Sequence, residues 1–224
     1  MKDRTELGRE FYELGLKLGR LGVVAIGSGG GPLSKALARI AGCGVALAGG
    51  EARFHDGSCA ACAAWLGRYY NLPAALFVRQ TGENVEWFLL DSGGQPFTPD
   101  HVENVRPSSV GEWDLLTGAD CAWAAERAAD RRRQGVVSAR GPAALTLALE
   151  RMGYVVLDRP LPGAPMFQAD REGFRLQVEL NGTSFSPGGV DALAAAADFA
   201  AWPEAAGPRA VPAFRPEEDG LNQT

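Results

Sequence analysis

The sequence predicts an α/β fold, arranged as two related α/β/α sandwich domains with mixed, largely parallel sheets. Short apolar runs typical of buried strands alternate along the chain with longer segments that carry apolar residues at helical spacing. The second half of the chain repeats this order. Two segments, one beginning at Phe88 and the other at Leu176, also share residues at the same relative positions, which indicates an internal repeat.

The first half of the chain predicts helices and strands in alternation. Leu7, Phe11, Leu14 and Leu18 share one helical face, and the run GVVAIGS has the composition of a short buried strand. The predicted elements are a helix at 6–18, a strand at 22–28, a helix bearing Leu33, Leu37 and Ile40, a strand at 44–50, a helix at 57–70, and strands at 74–80 and 85–91.

The second half predicts the same succession with one shortened connection. The predicted elements are an alanine-rich helix at 117–133, a strand, turn and helix within 135–153, strands at 154–158 and 174–180, and a helix at 190–201. The segment RPLPGAP, at 159–165, stands where the first half has a helix and a strand. We therefore expect domains at 1–106 and 107–202, followed by a proline-rich tail or linker at 203–224.

Gapless pairing of the two repeated segments supports this division. FLLDSGGQPFTPDHV starts at Phe88, and LQVELNGTSFSPGGV starts at Leu176. The matched pairs include Gly94 with Gly182, Phe97 with Phe185, Pro99 with Pro187 and Asp91 with Glu179. In both segments a strand ends at a glycine turn that reverses the chain.

Composition excludes several classes of partner. The chain has 224 residues, 46% hydrophobic, with a net charge of −5, whereas a protein that binds duplex nucleic acid normally shows a basic face. The one basic cluster, at 131–133, we predict to be the solvated end of a helix. No stretch approaches the roughly 20 apolar residues of a membrane span, and the N-terminus has no apolar signal core. We expect a cytoplasmic protein that binds neither nucleic acid nor membrane.

Cys59 and Cys62 form a C-x-x-C within GSCAACAAW. They are either two small residues one helical turn apart on a buried face, or a redox pair or half of a zinc site. No second C-x-x-C or histidine pair completes a zinc site, because the only histidines are His55 and His101. The sequence favours the buried pair and leaves a redox role open.

Three loops contain residues suited to binding or catalysis. Ser28–Gly31, within IGSGGGPL, could place backbone N–H groups around a phosphate at a helix N-terminus, although the lysine of a P-loop is missing. Thr81 follows a strand and offers a hydroxyl as nucleophile or phosphate ligand. Asp170 and Glu172, within DREGFRLQVEL, could direct carboxylate oxygens at one hard cation such as Mg²⁺.

The order of these stretches resembles that of the α-D-phosphohexomutases, the phosphoglucomutase/phosphomannomutase superfamily. VVAIGSGGGPLSKAL is similar to the family's opening strand, loop and helix, written VVVGRDxRxSS. AALFVRQTGENVEWFLLDSGGQPFTPD is similar to GIMITASHNPxxxNGxKxxxxxGxPL, and DREGFRLQVEL takes the place of the metal loop DGDGDRLALVD. The resemblance covers about residues 23–200 and implies the family's two leading domains.

The resemblance implies a role for several residues. Thr81 falls on the phosphorylated serine, while Asp170, Glu172 and Phe174 fall on the three metal-binding aspartates. Ser28, Gly29, Gly30 and Arg175 fall on positions expected to bind substrate or phosphate. A second placement lays residues 117–131 on the metal loop, with Glu126, Ala128 and Asp130 on its ligands; we prefer the first, because Arg175 runs directly into a strand, as the arginine of the family does.

The departures from the family all concern chemistry. Thr81 is a more hindered nucleophile than serine, and Phe174 removes one carboxylate from the metal loop. The third domain's sugar-recognition loop and the fourth domain's phosphate-binding loop have no counterpart here. Because phosphoryl transfer depends on positioning and charge neutralisation, we expect a phosphohexomutase-family protein for hexose phosphates with little or no mutase activity, and with Mg²⁺ as its only cofactor if it retains one.

Two other functions stay open at this point. One is a binding module, which would be a sugar-phosphate sensor or a regulatory protein with a protein partner. The other is an unrelated Rossmann-like protein that binds a nucleotide through GSGGG. Glu51 lies about 20 residues beyond that loop, where such proteins carry the acid that binds the ribose.

Overall fold

The computed structural model describes residues 3–99 and 111–201 of the chain. Its helices are α1 (Arg4–Gly19), α2 (Pro32–Leu47), α3 (Ala60–Tyr69), α4 (Ala119–Ala128), α5 (Ala143–Arg151) and α6 (Ala192–Ala200). Its strands are β1 (Val23–Gly29), β2 (Glu51–His55), β3 (Ala74–Thr81), β4 (Asn84–Asp91), β5 (Trp113–Leu116), β6 (Gly135–Arg140), β7 (Tyr154–Leu157), β8 (Met166–Ala169), β9 (Leu176–Leu180) and β10 (Thr183–Phe185). Helices and strands alternate as predicted.

The strands form two sheets that repeat one topology. The first sheet has the order β4-β3-β1-β2-β5, and the second has the order β10-β9-β8-β6-β7. In the first, β1 lies parallel to β2 and β3, and β4 is antiparallel to β3. In the second, β6 lies parallel to β7 and β8, and β9 is antiparallel to β8. The fold class predicted from the sequence is confirmed: both sheets are mixed, with three of the four described strand pairs parallel in the first and two of the four in the second.

The predicted strand at 44–50 was wrong, because α2 continues through Leu47 and the strand begins only at Glu51. The run is apolar because this part of α2 crosses α1 at close range. A Cβ on Gly44 would lie 2.4 Å from the carbonyl oxygen of Tyr12, and one on Gly15 would lie 2.0 Å from that of Ala41. Small residues at a helix crossing therefore gave the composition of a short buried strand.

The first half of the chain extends further along the sequence than predicted. β5 pairs in parallel with β2 and so belongs to the first sheet, which moves the end of that half from residue 106 to beyond Leu116. The short strands β8 and β10 carried no recognised signal in the sequence. Helix α4 covers only part of the predicted 117–133. The proline-rich segment at 203–224 lies outside the described residues.

Helix α3 packs between the two sheets, which explains its alanine-rich composition. Ala60, Ala63 and Ala64 join an apolar cluster with strands of the first sheet, whereas Ala61, Cys62 and Trp65 join the main cluster of the second half. Small side chains on both faces let the helix approach both layers closely. Among residues 3–99 and 111–201, no helix is long and apolar enough to cross a membrane.

Candidate functional site: a cleft between the two sheets

Loops from both sheets meet at a cleft of about 510 Å³. The first sheet contributes Gly30 after β1 and Thr81 at the end of β3. The second contributes Gly141 after β6 and Arg171 after β8. All four positions lie at the carboxyl ends of parallel strands, which is where ligands bind in open α/β sheets.

Thr81 is the last residue of β3 and lies opposite Asn84 in a tight hairpin. Only Gly82 and Glu83 separate the two strands, and Gly82 takes a left-handed conformation with φ of 61°. The hydroxyl-bearing residue is exposed at the edge of the cleft. The structure thus brings Thr81 together with Gly30 of the glycine loop, on a hairpin with a two-residue turn.

The glycine loop does not present a free phosphate cradle at α2. The side-chain carbonyl of Gln80 accepts a hydrogen bond from the N–H of Leu33 at 3.0 Å, so it caps the start of that helix. A Cβ on Gly31 would lie 2.4 Å from the same oxygen, so glycine is needed for this approach. Of the predicted phosphate ligands, Gly30 borders the cleft, whereas Ser28 borders a separate pocket. Gly29 packs near the ring of Phe77, since its added Cβ would lie 3.1 Å away.

Glu172 is buried, and its carboxylate is engaged by the first half of the chain. One oxygen forms an ion pair with Arg79 of β3, and the other accepts the N–H of Ala60 at 3.3 Å. The backbone carbonyl of Glu172 also accepts the N–H of Ala61 at 3.0 Å. The residue predicted to bind metal therefore caps α3, and it links the β8–β9 loop to the first sheet.

Asp170 stabilises its own loop. Its side chain accepts hydrogen bonds from the backbone N–H groups of Phe174 at 2.9 Å and Arg175 at 3.2 Å. Gly173 takes φ of 72°, and a Cβ there would approach within 2.8 Å of Leu193. The loop therefore keeps the turn that its glycine predicted, with the carboxylate directed at backbone donors.

The remaining residues of the loop do not complete a metal site. The ring of Phe174 packs edge-on against Phe88 of the first sheet, with centroids 6.1 Å apart. Within the described ranges, no group of three or more His, Cys, Asp or Glu is placed to hold a metal ion. Arg175 is exposed and is not among the residues that border the cleft. As arranged, these side chains do not fit Mg²⁺.

The cleft nevertheless retains one place suited to an anion. Arg171 borders it and forms no ion pair with any described residue. Gly141, Pro142 and Ala143, after the adjacent strand β6, also border it and lead into α5, whose N-terminus has no side-chain cap from its Pro142. Free N–H groups and the helix dipole favour negative charge there. Sequence reasoning missed this loop, although its Gly-Pro pair echoes Gly31-Pro32 at the start of α2.

The structure disagrees with two alternative interpretations of acidic residues: Glu51 as a ribose-binding acid, and residues 117–131 as the metal loop. Glu51 is the first residue of β2, at the opposite end of the strand from the glycine loop, and it pairs with Arg53 at 2.6 Å. A ribose-binding acid would be expected at the carboxyl end. The second placement of the metal loop falls on α4, where Glu126 accepts a hydrogen bond from the indole of Trp65 at 2.7 Å.

The C-x-x-C pair lies at the N-terminus of α3, beside the cleft. Cys59 and Cys62 are both buried free thiols. A hydrogen bond from Cys62, opposed by burial, lowers the pKa of Cys59, and the same contact raises the pKa of Cys62. The buried placement predicted from the sequence is confirmed.

The basic cluster at 131–133 contacts α6 and the residue that follows it. Arg131 pairs with Asp198, and Arg133 donates hydrogen bonds to the backbone carbonyl of Ala201. Two of these arginines thus hold the end of α6.

Comparison with known proteins gives matches among solved structures. No protein-family model matches the chain, and no curated protein matches it. A putative phosphomannomutase from Thermus thermophilus is similar with a TM-score of 0.56 and 14% identity, over 77% of this chain and 53% of that one. A phosphoglucomutase/phosphomannomutase family protein from Burkholderia thailandensis gives a TM-score of 0.61 and 10% identity, over 78% and 51%. This chain spans about half the length of each, and its fold is similar to theirs, in agreement with the fold that the sequence resemblance implied.

Proposed function

We propose that this protein is a phosphohexomutase-like sugar-phosphate-binding protein with little or no mutase activity. The cleft between the sheets binds the phosphate group of a hexose phosphate, and no phosphoryl group is transferred. A regulatory role toward a protein partner is compatible with this function. The proposal rests on which polar groups of the cleft are paired with other residues of the protein and which are left to bind a ligand.

The engagement of Glu172 is the observation that carries the proposal. A carboxylate that binds a metal ion must direct its oxygens at that ion. The side chain of Glu172 is instead 7% exposed, and its oxygens are held by Arg79 and the start of α3. Releasing it would leave Arg79 without its buried partner and α3 without its cap, which is unfavourable. We therefore expect Mg²⁺ to bind this loop weakly or not at all.

Two further features also argue against mutase activity. Gln80 occupies the start of α2, where a phosphate could otherwise accept the N–H of Leu33. Thr81 lies on a hairpin with a two-residue turn, so the backbone has little freedom to bring its hydroxyl in line with a phosphoryl group. Together these features remove positioning and charge neutralisation, on which phosphoryl transfer depends.

Binding depends on the part of the cleft wall whose hydrogen-bond donors are not paired with described residues. Arg171 offers a cation, and the start of α5, which follows the adjacent strand, offers backbone donors. A guanidinium suits phosphate because it can donate two parallel hydrogen bonds. We expect the phosphate of the ligand to lie between these two groups, on the side of the second sheet.

An activity assay and a binding measurement test the proposal. The purified chain, with Mg²⁺ and the bisphosphate activator supplied, should not interconvert glucose 1-phosphate and glucose 6-phosphate. Robust turnover that Thr81→Ala abolishes would overturn the absence of mutase activity. Calorimetry should detect glucose 6-phosphate binding that Arg171→Ala weakens by about tenfold, the loss of one charged hydrogen-bonding pair. Arg175→Ala is the matched control, since this exposed arginine of the same loop lies outside the cleft; equal effects of the two variants would refute the binding site.

A further inference from the structure

A second pocket, of about 570 Å³, lies in the first sheet away from the cleft and is used by neither the proposed binding nor the metal loop. It is bordered by the ends of β1 and β2, by α2 and by β5. Its volume falls within the range of about 300–1,000 Å³ typical of small-molecule sites. None of the cleft residues Gly30, Thr81 or Arg171 is among its lining residues.

The pocket lies where the chain leaves adjacent strands toward opposite faces of the sheet. Helix α2 follows β1 and packs with Val24 and Ile26, whereas α3 follows β2 and packs on the other face, against Ala25. Loops that diverge in this way open a crevice at the carboxyl ends of the two strands. Crevices of this type are the usual ligand sites of open α/β sheets.

The lining combines an apolar floor with a cationic rim. Phe54 and Leu115 supply apolar surface, and Leu115, on the edge strand β5, is 65% exposed. Phe54 lies against α2 at Gly42, where a Cβ would lie 2.3 Å from the ring. Lys35 and Arg39, one turn apart on α2, border the pocket and form no ion pair with a described residue.

The polar groups give the pocket a net positive charge. Asp114 is its one acid, and an oxygen of that carboxylate already accepts the N–H of Leu115 at 2.7 Å. Ser28 also borders the pocket. His55 borders it at the end of β2, but its ring turns to the other face of the sheet, where it stacks on Phe77 and where a Cβ on Gly27 would meet it. The imidazole therefore supplies no hydrogen bond to a ligand in this pocket.

We propose that this pocket binds a small ring-bearing anion of the size of a nucleoside monophosphate. Lys35 and Arg39 receive the anionic group, the apolar floor at Phe54 and Leu115 takes the ring, and Ser28 supplies a hydrogen bond. The ligand would lie on the first sheet, away from the hexose phosphate of the cleft, so this proposal holds whether or not the cleft binds sugar phosphate.

Calorimetry with AMP, adenosine and inorganic phosphate tests the proposal on the full chain. AMP should bind more tightly than either adenosine or phosphate, because only AMP presents both ring and anion. The double variant Lys35→Gln/Arg39→Gln should weaken AMP about tenfold, since two exposed cations each contribute a modest attraction. Both residues are exposed, so the variant should fold as the wild type does.

The control variant Arg9→Gln/Lys17→Gln removes the same charge from α1 and should leave AMP binding unchanged. Arg171→Ala should weaken the binding of glucose 6-phosphate but not that of AMP, so the two proposed sites can be refuted independently. The proposal is overturned if AMP does not bind at millimolar concentration, if the α2 double variant binds it as well as the wild type, or if the α1 control weakens it equally.

Discussion

Lowering the pH from 7 to 5 should destabilise the protein through His55. Burial lowers the pKa of this imidazole from its ordinary 6.5 to about 4, and the nearby carboxylate of Asp56 offsets only part of that effect. The unfolded chain therefore takes up a proton near pH 6.5, while the native state stays neutral until about pH 4. Because the unfolded state binds more protons in this window, stability falls as the pH drops through it.

The magnitude follows from proton linkage. A shift of one pKa unit corresponds to about 1.4 kcal/mol, so the full shift amounts to about 3 kcal/mol once the pH reaches 4. Between pH 7 and pH 5 the expected loss in unfolding free energy is about 2 kcal/mol. The pKa of Asp56 is lowered: burial raises it, but hydrogen bonds from Ala119 and Gly118 outweigh that effect. Its contribution is lost only as the pH falls below its ordinary 3.8, outside this window.

Urea unfolding at pH 7, 6 and 5 measures the effect. His55→Gln cannot titrate, so the difference in unfolding free energy between the wild type and this variant should shrink by about 2 kcal/mol from pH 7 to pH 5. The comparison removes the contributions of carboxylates common to both proteins. A difference that stays constant across this range would show that His55 is not buried in neutral form.

Two further measurements examine the contacts between the halves and the buried thiols. Arg79→Met should lower the unfolding free energy by about 3 kcal/mol, because it leaves Glu172 buried without its ion-pair partner. The control Glu86→Gln removes only the exposed partner of Arg79, at 2.5 Å, and should lower the unfolding free energy by less than about 1 kcal/mol. Equal losses of unfolding free energy in the two variants would contradict the role given to Glu172. Ellman's reagent should modify the two exposed cysteines of the native protein and reach Cys59 and Cys62 only after unfolding; four thiols reacting together would mean that α3 is not packed between the sheets.

The order of elements could be predicted from the sequence because it depends on local signals. The strand at 135–140 and the helix after it show apolar periodicity and a Gly-Pro turn, and the structure has both. The glycine turns paired by the repeat are also present, since Gly94 and Gly182 take φ of 78° and 79°. Such features are specified by the residues that form them, so a single stretch of sequence is enough to predict them.

The errors concern contacts between distant residues. The predicted strand at 44–50 was wrong because Gly44 serves a helix crossing with α1, which no local pattern reports. The engagement of Glu172 depends on Arg79, which belongs to the other sheet. The sequence could place Glu172 in a loop similar to a metal loop, but the partner of its carboxylate is decided by tertiary packing.

Helix N-termini decide where in the cleft an anion is favoured. Gln80 caps α2, Glu172 caps α3, and Asp56 accepts the N–H groups of Gly118 and Ala119 at the start of α4. Each side-chain oxygen occupies a position that a phosphate oxygen would otherwise take. At α5, the described residues supply no such cap, and Arg171 borders the same cleft. An anion entering the cleft is therefore drawn toward the second sheet, whereas Thr81 lies on the first. The proposed phosphate position and Thr81 are thus separated within one cleft, which supports the proposal of a protein that holds a phosphate over one that transfers it.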